Sequence, residues 1–343
     1  MANITVANSS LEDLDYKPYL TTLYVSAFLL SLFSPITVVS NTLLLMAIYR
    51  DPFKSFRTPV TYFIISLALV DLVTGLIVEP LFAVYYFACH FYQTFRPGKQ
   101  FEYLFTTSAF LSVIMLSSSF FLVLALTTTQ YIAITFPHRY KVLFTKRRVL
   151  VAVCCHFVYF AIFSSLQYTK IPTDTYLRIN LHLHPTVVGV LLTVAHIFLY
   201  KSFRRFSQRS KAFRERSSLS RSMHQCSEGA QGSKNEAKHQ KQLTVVALML
   251  SALLLLCSFP HIVSFYIYLY TKPMSWDFLL KISIALRVSD VIMFFKVALD
   301  AYIYAWRHPK YRKAVKDALL CYRSREAVTR DRETEHEMIA TGY

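Results

Sequence analysis

Asn41, Asp71, Glu79, Asp290, Lys296 and Asp300 interrupt stretches of the chain that are otherwise apolar. A charge or amide in such surroundings is costly, and it persists where it pairs, joins neighbouring helices or performs a function. Lys296 and Asp300 stand four residues apart, which places them on one helix face, one turn from each other. An ammonium beside a carboxylate at that spacing is the chemistry of a buried ion pair. Breaking such a pair by removing one partner costs about 3–5 kcal/mol. His261, Arg287 and Asp290 add an imidazole, a guanidinium and a second carboxylate to the last two apolar stretches. These types can hold a charged or polar ligand.

The elements that must position these residues are long apolar helices. A bilayer core about 30 Å thick needs about 20 apolar residues of helix. Seven stretches reach that length: 20–49, 59–87, 103–135, 148–169, 178–203, 240–270 and 279–306. The fifth is weakest, because His182, His184 and Pro185 interrupt its start. A shorter amphipathic stretch, 309–321, comes after the seventh. The composition agrees: 54% of the 343 residues are hydrophobic and 17% charged, against about 25% charged in soluble domains. The fold class expected is an all-α membrane protein, a seven-transmembrane helix bundle with a short amphipathic eighth helix. Residues 1–19 form an extracellular N-terminus, 20–307 the bundle, and 308–343 the eighth helix and cytoplasmic tail.

The net charge of +17 sits in short segments between the apolar stretches and in the tail. This is the positive-inside pattern, so the charge faces lipid headgroups and no nucleic-acid partner is expected. Arg139, Lys141, Lys146, Arg147 and Arg148 come after the third stretch, and eleven Lys/Arg against three acids fill Lys201–Lys241. The alternate segments are nearly balanced, which puts the N-terminus outside. Sequons at Asn3 and Asn8 lie on that side, where glycans are added. No cleavable leader precedes the first stretch, which is expected to act as its own insertion signal. The polar 210–237 stretch, within a long cytoplasmic loop over about 204–239, is expected to be disordered. The six cysteines give no readable disulfide framework.

Seven such helices also occur in transporters and microbial-type opsins, and the motifs decide between them. The first helix carries Ser40-Asn41-Thr42-Leu43 and the second Ser66-Leu67-Ala68-Leu69-Val70-Asp71-Leu72. The third ends Thr129-Gln130-Tyr131, with Pro137-His138-Arg139-Tyr140 after it. The sixth has Cys257-Ser258-Phe259-Pro260 and the seventh Asp300-Ala301-Tyr302-Ile303-Tyr304. Pro309-Lys310-Tyr311-Arg312-Lys313-Ala314 leads to Cys321. In this order the chain resembles a class A (rhodopsin-like) G-protein-coupled receptor over residues 20–321. It departs from the pattern too. Gln130 stands where the transducer-contacting Arg is expected, Thr129 where its acidic partner is, and Gln240 where the sixth-helix acid is. The ion pair that holds the inactive state in the family therefore cannot form. Ser258 replaces the aromatic switch and Ala301 the seventh-helix proline, and the cysteine of the outer disulfide is Phe105.

The resemblance implies a sodium ion near Asp71, Ser119, Lys296 and Asp300, with Asn41 in the same buried polar cluster. Lys296 is expected to replace that ion by pairing with Asp71 and Asp300. The family's retinal lysine falls at Phe294. Lys296 lies two residues on, a turn of about 200°, so no Schiff base is expected, nor any other cofactor, metal or catalytic site. A small-molecule or peptide ligand would meet Glu79, Ser112, Leu116, His261, Phe265, Arg287 and Asp290. Ser112 stands where amine receptors keep an aspartate. Thr129, Gln130, Tyr131 and Tyr304 would form the face toward a heterotrimeric G protein, and Cys321 would be palmitoylated. The expected function is a plasma-membrane receptor, not an enzyme. The alternative is a non-signalling relative, such as a decoy, scavenger or dimer partner.

Overall fold

A computed structural model describes residues 16–50, 58–219, 228–271 and 275–307. Asn3, Asn8, Cys321 and the expected eighth helix lie outside these residues. The seven expected helices are all present. They run Lys17–Arg50, Pro59–Phe91, Lys99–Thr135, Lys146–Tyr168, from Thr173 to Leu219, Glu228–Tyr270 and Trp276–Arg307. A short helix, Pro137–Leu143, comes after the third. Among the described residues six helices are long and apolar enough to cross a membrane. The seventh is long enough, but Lys281, Arg287, Asp290, Lys296 and Asp300 make it too polar by composition alone. The bundle encloses Lys296 and Asp300 and partly covers Arg287 and Asp290.

The helices form a closed ring in which the first packs on the seventh and the seventh on the sixth. The third helix runs through the middle and touches the second, fourth, fifth and sixth. One apolar core fills the bundle from its centre to the Gln130 end, built on Leu67, Leu126, Leu250 and Tyr304. A second, rich in aromatic residues, fills the Lys17 end around Leu23, Phe82, Tyr86 and Phe294. Large apolar side chains such as Phe28, Leu76, Ile162 and Leu256 point outward, as a lipid-facing surface requires.

Two π-helical turns re-aim the helices. Pro80 has no N–H to donate and its ring crowds the preceding turn. The second helix widens over Thr74–Val78, and the Glu79 N–H reaches back to the Thr74 carbonyl. One residue inserted in a helix rotates all later residues by about 100°. Eight residues of regular helix would set Glu79 about 80° from Asp71; the insertion brings the two onto nearly one face. The fifth helix absorbs Pro185 the same way over His182–Val188 and continues, so the interruption expected there is a widened turn.

The expected disorder of 210–237 is corrected at both ends. The fifth helix continues to Leu219 and the sixth begins at Glu228; residues 220–227 lie outside the described set. The polarity of these segments misled. Arg, Lys, Gln, Glu and Ala favour helix, residues 201–219 contain neither Pro nor Gly, and a helix already formed propagates at little cost.

Gly75 sits in the first π turn against the first helix, where its carbonyl accepts a hydrogen bond from Ser34 at 2.8 Å. A Cβ there would meet Thr37 side-chain carbons at 2.9 Å. Gly75→Ala should therefore destabilise the protein by about 1–3 kcal/mol through overpacking. Gly189→Ala, where a Cβ meets nothing within 4 Å, should not. Melting curves of the two purified variants check this.

Candidate functional site

The deepest polar cluster forms because the seventh helix puts Lys296 and Asp300 on its inward face. Lys296 is fully buried, and its Nζ lies 2.5 Å from Asp300 Oδ2. The same Nζ donates to Ser119 Oγ of the third helix at 2.7 Å. Lys296 therefore does not snorkel out of the bundle. The expected pairing holds for Asp300 and is corrected for Asp71, which makes no ion pair with Lys296 among the described residues. Local geometry decides this, since an i,i+4 partner is within reach on the same helix. Asp71, buried on the second helix, feels the charges of both Asp300 and Lys296. Asn41 is buried, and its amide donates to Thr37 O of its own helix at 2.9 Å. Tyr304 closes the cluster toward the Gln130 end, buried, with its hydroxyl unpaired among the described residues.

A second ionic cluster lies nearer the Lys17 end and joins three helices. Arg287 Nη1 lies 3.1 Å from Asp290 Oδ2 and donates to the Tyr86 hydroxyl at 2.5 Å. Its guanidinium also lies over the Tyr86 ring, 5.7 Å from the centroid. Asp290 Oδ1 lies 2.9 Å from His261 Nδ1, which ties the seventh helix to the sixth. The Phe265 ring lies 5.6 Å from that of His261. His261, Phe265, Arg287 and Asp290 are thus brought together as expected. Ser112 is spent on its own helix, donating to Ala109 O at 2.9 Å, and Leu116 packs against the main core. Glu79 is wholly buried, and neither carboxylate oxygen has a hydrogen-bond partner among the described residues.

At the other end, Gln240 Nε2 of the sixth helix donates to Gln130 Oε1 of the third at 2.8 Å. Thr244 Oγ1 lies 3.3 Å from the same oxygen, sharing its one proton with the nearer Gln240 O at 2.9 Å. The absent ion pair is thus replaced by a neutral clasp. Thr129, Gln130 and Tyr304 are buried. Tyr131 packs against Phe198, with ring centroids 5.9 Å apart. In this conformation none of the first three presents itself at the surface.

The contact of Tyr86 with Arg287 was not read from the sequence, although Tyr86 lies seven residues after Glu79, a helical face repeat. Nor was the polar contact between the fifth and sixth helices, where His182 lies 2.7 Å from the hydroxyls of both Tyr266 and Tyr270.

Residues 40–304 match the family described as 7 transmembrane receptor (rhodopsin family). The histamine H2 receptor of Cavia porcellus is 30% identical over 140 residues, 41% of this chain and 36% of that receptor. The dopamine D2-like receptor of Drosophila melanogaster is 31% identical over 137 residues, 37% of this chain and 13% of that receptor. The histamine H2 receptor of Homo sapiens is 31% identical over 118 residues, 34% of this chain and 30% of that receptor. The chain spans about a third or less of the length of these relatives.

Lys296→Met should leave the buried Asp300 carboxylate uncompensated and destabilise the bundle by about 3–5 kcal/mol. Adding Asp300→Leu should recover much of that loss, since an apolar pair of similar volume replaces an ion pair at low cost. Surface expression and melting of the single and double variants check this; unchanged melting of Lys296→Met would contradict it.

Proposed function

The chain belongs to the rhodopsin family of seven-transmembrane, G-protein-coupled receptors, and on that premise we propose that it carries the signal of an extracellular small-molecule or peptide ligand to heterotrimeric G proteins. The Lys17 end faces outward and the Gln130 end faces the cytoplasm at the plasma membrane. The exposed Arg139, Lys141, Lys146, Arg147 and Arg148 at the Gln130 end support this orientation. There they meet anionic headgroups first and a transducer second.

The clasp among Gln130, Gln240 and Thr244 carries the proposal. The sixth helix is held at both ends: to the third helix by this clasp, and to the seventh by His261 and Asp290. Pro260 lies within it, next to His261. A ligand that competes for His261 or Asp290 shifts the population toward a form in which the sixth helix leaves Gln130. A neutral hydrogen bond contributes only about 0.5–1.5 kcal/mol net, so the clasp is weak enough for binding energy to open. Two of its three side chains are buried, which shields it from water.

The residues present do not suit a sodium ion. Lys296 Nζ already uses the Asp300 and Ser119 oxygens that such an ion would need. Lys296 serves instead as a cation fixed to the chain. The non-signalling reading draws on one observation: Gln130, in the place of the transducer-contacting Arg, is wholly buried.

Gln240→Ala should raise ligand-free G-protein recruitment in cells about fivefold, equivalent to losing about 1 kcal/mol of clasp. Recruitment that is absent in the wild type and in Gln240→Ala, at normal surface expression, would favour the non-signalling reading. Gln130→Arg gaining signal from such a silent background would locate the block at that residue.

A further inference from the structure

Glu79 is a carboxylate placed where it costs most: it is wholly buried, and both of its oxygens lack a hydrogen-bond partner among the described residues. An ionisable residue in that position marks a functional site, and its partner is the thing to name. None of the fixed cations supplies the partner. Arg287 is taken by Asp290 and the Tyr86 hydroxyl, and Lys296 by Asp300 and Ser119.

The helix face that carries Glu79 is aromatic. Phe82 and Tyr86 lie three and seven residues after it, so all three share one face of the second helix. The Phe82 ring lies 5.7 Å from that of Tyr86, 6.0 Å from Phe294 of the seventh helix and 5.9 Å from Phe105 of the third. That face therefore packs against the third and seventh helices. Glu79 lies about 10 Å deeper along its helix than Tyr86, below the layer in which Arg287 and Asp290 meet. The π turn that precedes Pro80 is what brings the carboxylate to this face. A carboxylate beneath a group of aromatic rings is the chemistry that recognises an organic ammonium, by ion pairing and by attraction to the ring faces.

An acid is the poorer fit, because the Arg287 guanidinium that it would seek already has its carboxylate.

We infer that the receptor binds a small organic ammonium, with Glu79 of the second helix as its counter-ion and Phe82, Tyr86 and Phe294 around the cationic head. The inference rests on the ligand-receptor reading above. It assigns to the second helix the charge that Ser112 of the third helix, hydrogen-bonded to Ala109, does not supply. The relatives named for histamine and dopamine fit a ligand of this class, met here by a different residue.

The test is melting of the purified full-length receptor in detergent against graded 2-phenylethylamine, tetramethylammonium, 2-phenylethanol and 3-phenylpropionate. Both ammonium probes should stabilise the wild type, while the neutral alcohol of similar shape and the acid should not. Glu79→Gln, nearly the same in shape, should weaken the response to the amines by about thirtyfold or more, and Glu79→Asp should keep part of it. Three outcomes overturn the inference: no stabilisation of the wild type by either ammonium, equal or greater stabilisation by the alcohol or the acid, or an undiminished amine response in Glu79→Gln. Because the readout is binding, a receptor that recruits no G protein but passes this test would sink the signalling proposal and leave the ammonium site standing.

Discussion

The bundle is organised around one ammonium group that never reaches water. Lys296 is fully buried in the seventh helix, beside Asp300 and within hydrogen-bond reach of Ser119. Desolvating such an ion costs several kcal/mol, which only close partners offset. Each partner comes from an element that must then stay in place. Asp300 fixes the rotation of the seventh helix, and Ser119 fixes the third against it. The seventh helix is too polar to count as a span by composition. Its inward ionic face explains how it still belongs in the ring: the charges that would exclude it from lipid are turned toward its neighbours.

From that centre the polar groups continue in both directions through the apolar core. Toward the Lys17 end, Glu79 comes first and then the Arg287, Asp290, His261 and Tyr86 cluster. Toward the Gln130 end, the buried Tyr304 comes first and then the neutral clasp of Gln130, Gln240 and Thr244. The sixth helix takes part at both ends and carries Pro260 between them. This gives the proposed transmission a physical form: two sets of contacts on one helix, an imidazole–carboxylate contact at one end and a neutral hydrogen-bonded clasp at the other.

The number and order of the helices were legible in the sequence because a bilayer sets a length that apolar runs either reach or do not. The Lys296–Asp300 pair was legible because four residues is a helical repeat. Three things were not. Asp71's lack of an ion pair with Lys296 depends on how the second helix is rotated. The placement of Glu79 above Asp71 depends on a π turn, and a regular helical count misses that inserted residue. The extension of the fifth helix to Leu219 was hidden because polar composition reads as disorder even where each residue favours helix. Gln240 was noted as a missing acid, but that its amide would reach Gln130 required the packing of the sixth helix on the third.

On the proposed reading, a cation fixed to the chain, Lys296, stands where a free sodium ion would otherwise bind. The most direct measurement is the melting temperature of wild type and Lys296→Met when sodium chloride is replaced by N-methylglucamine chloride at constant ionic strength. The expected result is a wild type indifferent to the exchange and a Lys296→Met variant that sodium restabilises, because the Asp300 and Ser119 oxygens become free to hold an ion. A wild type that loses stability without sodium, or a variant that sodium leaves unchanged, would contradict it.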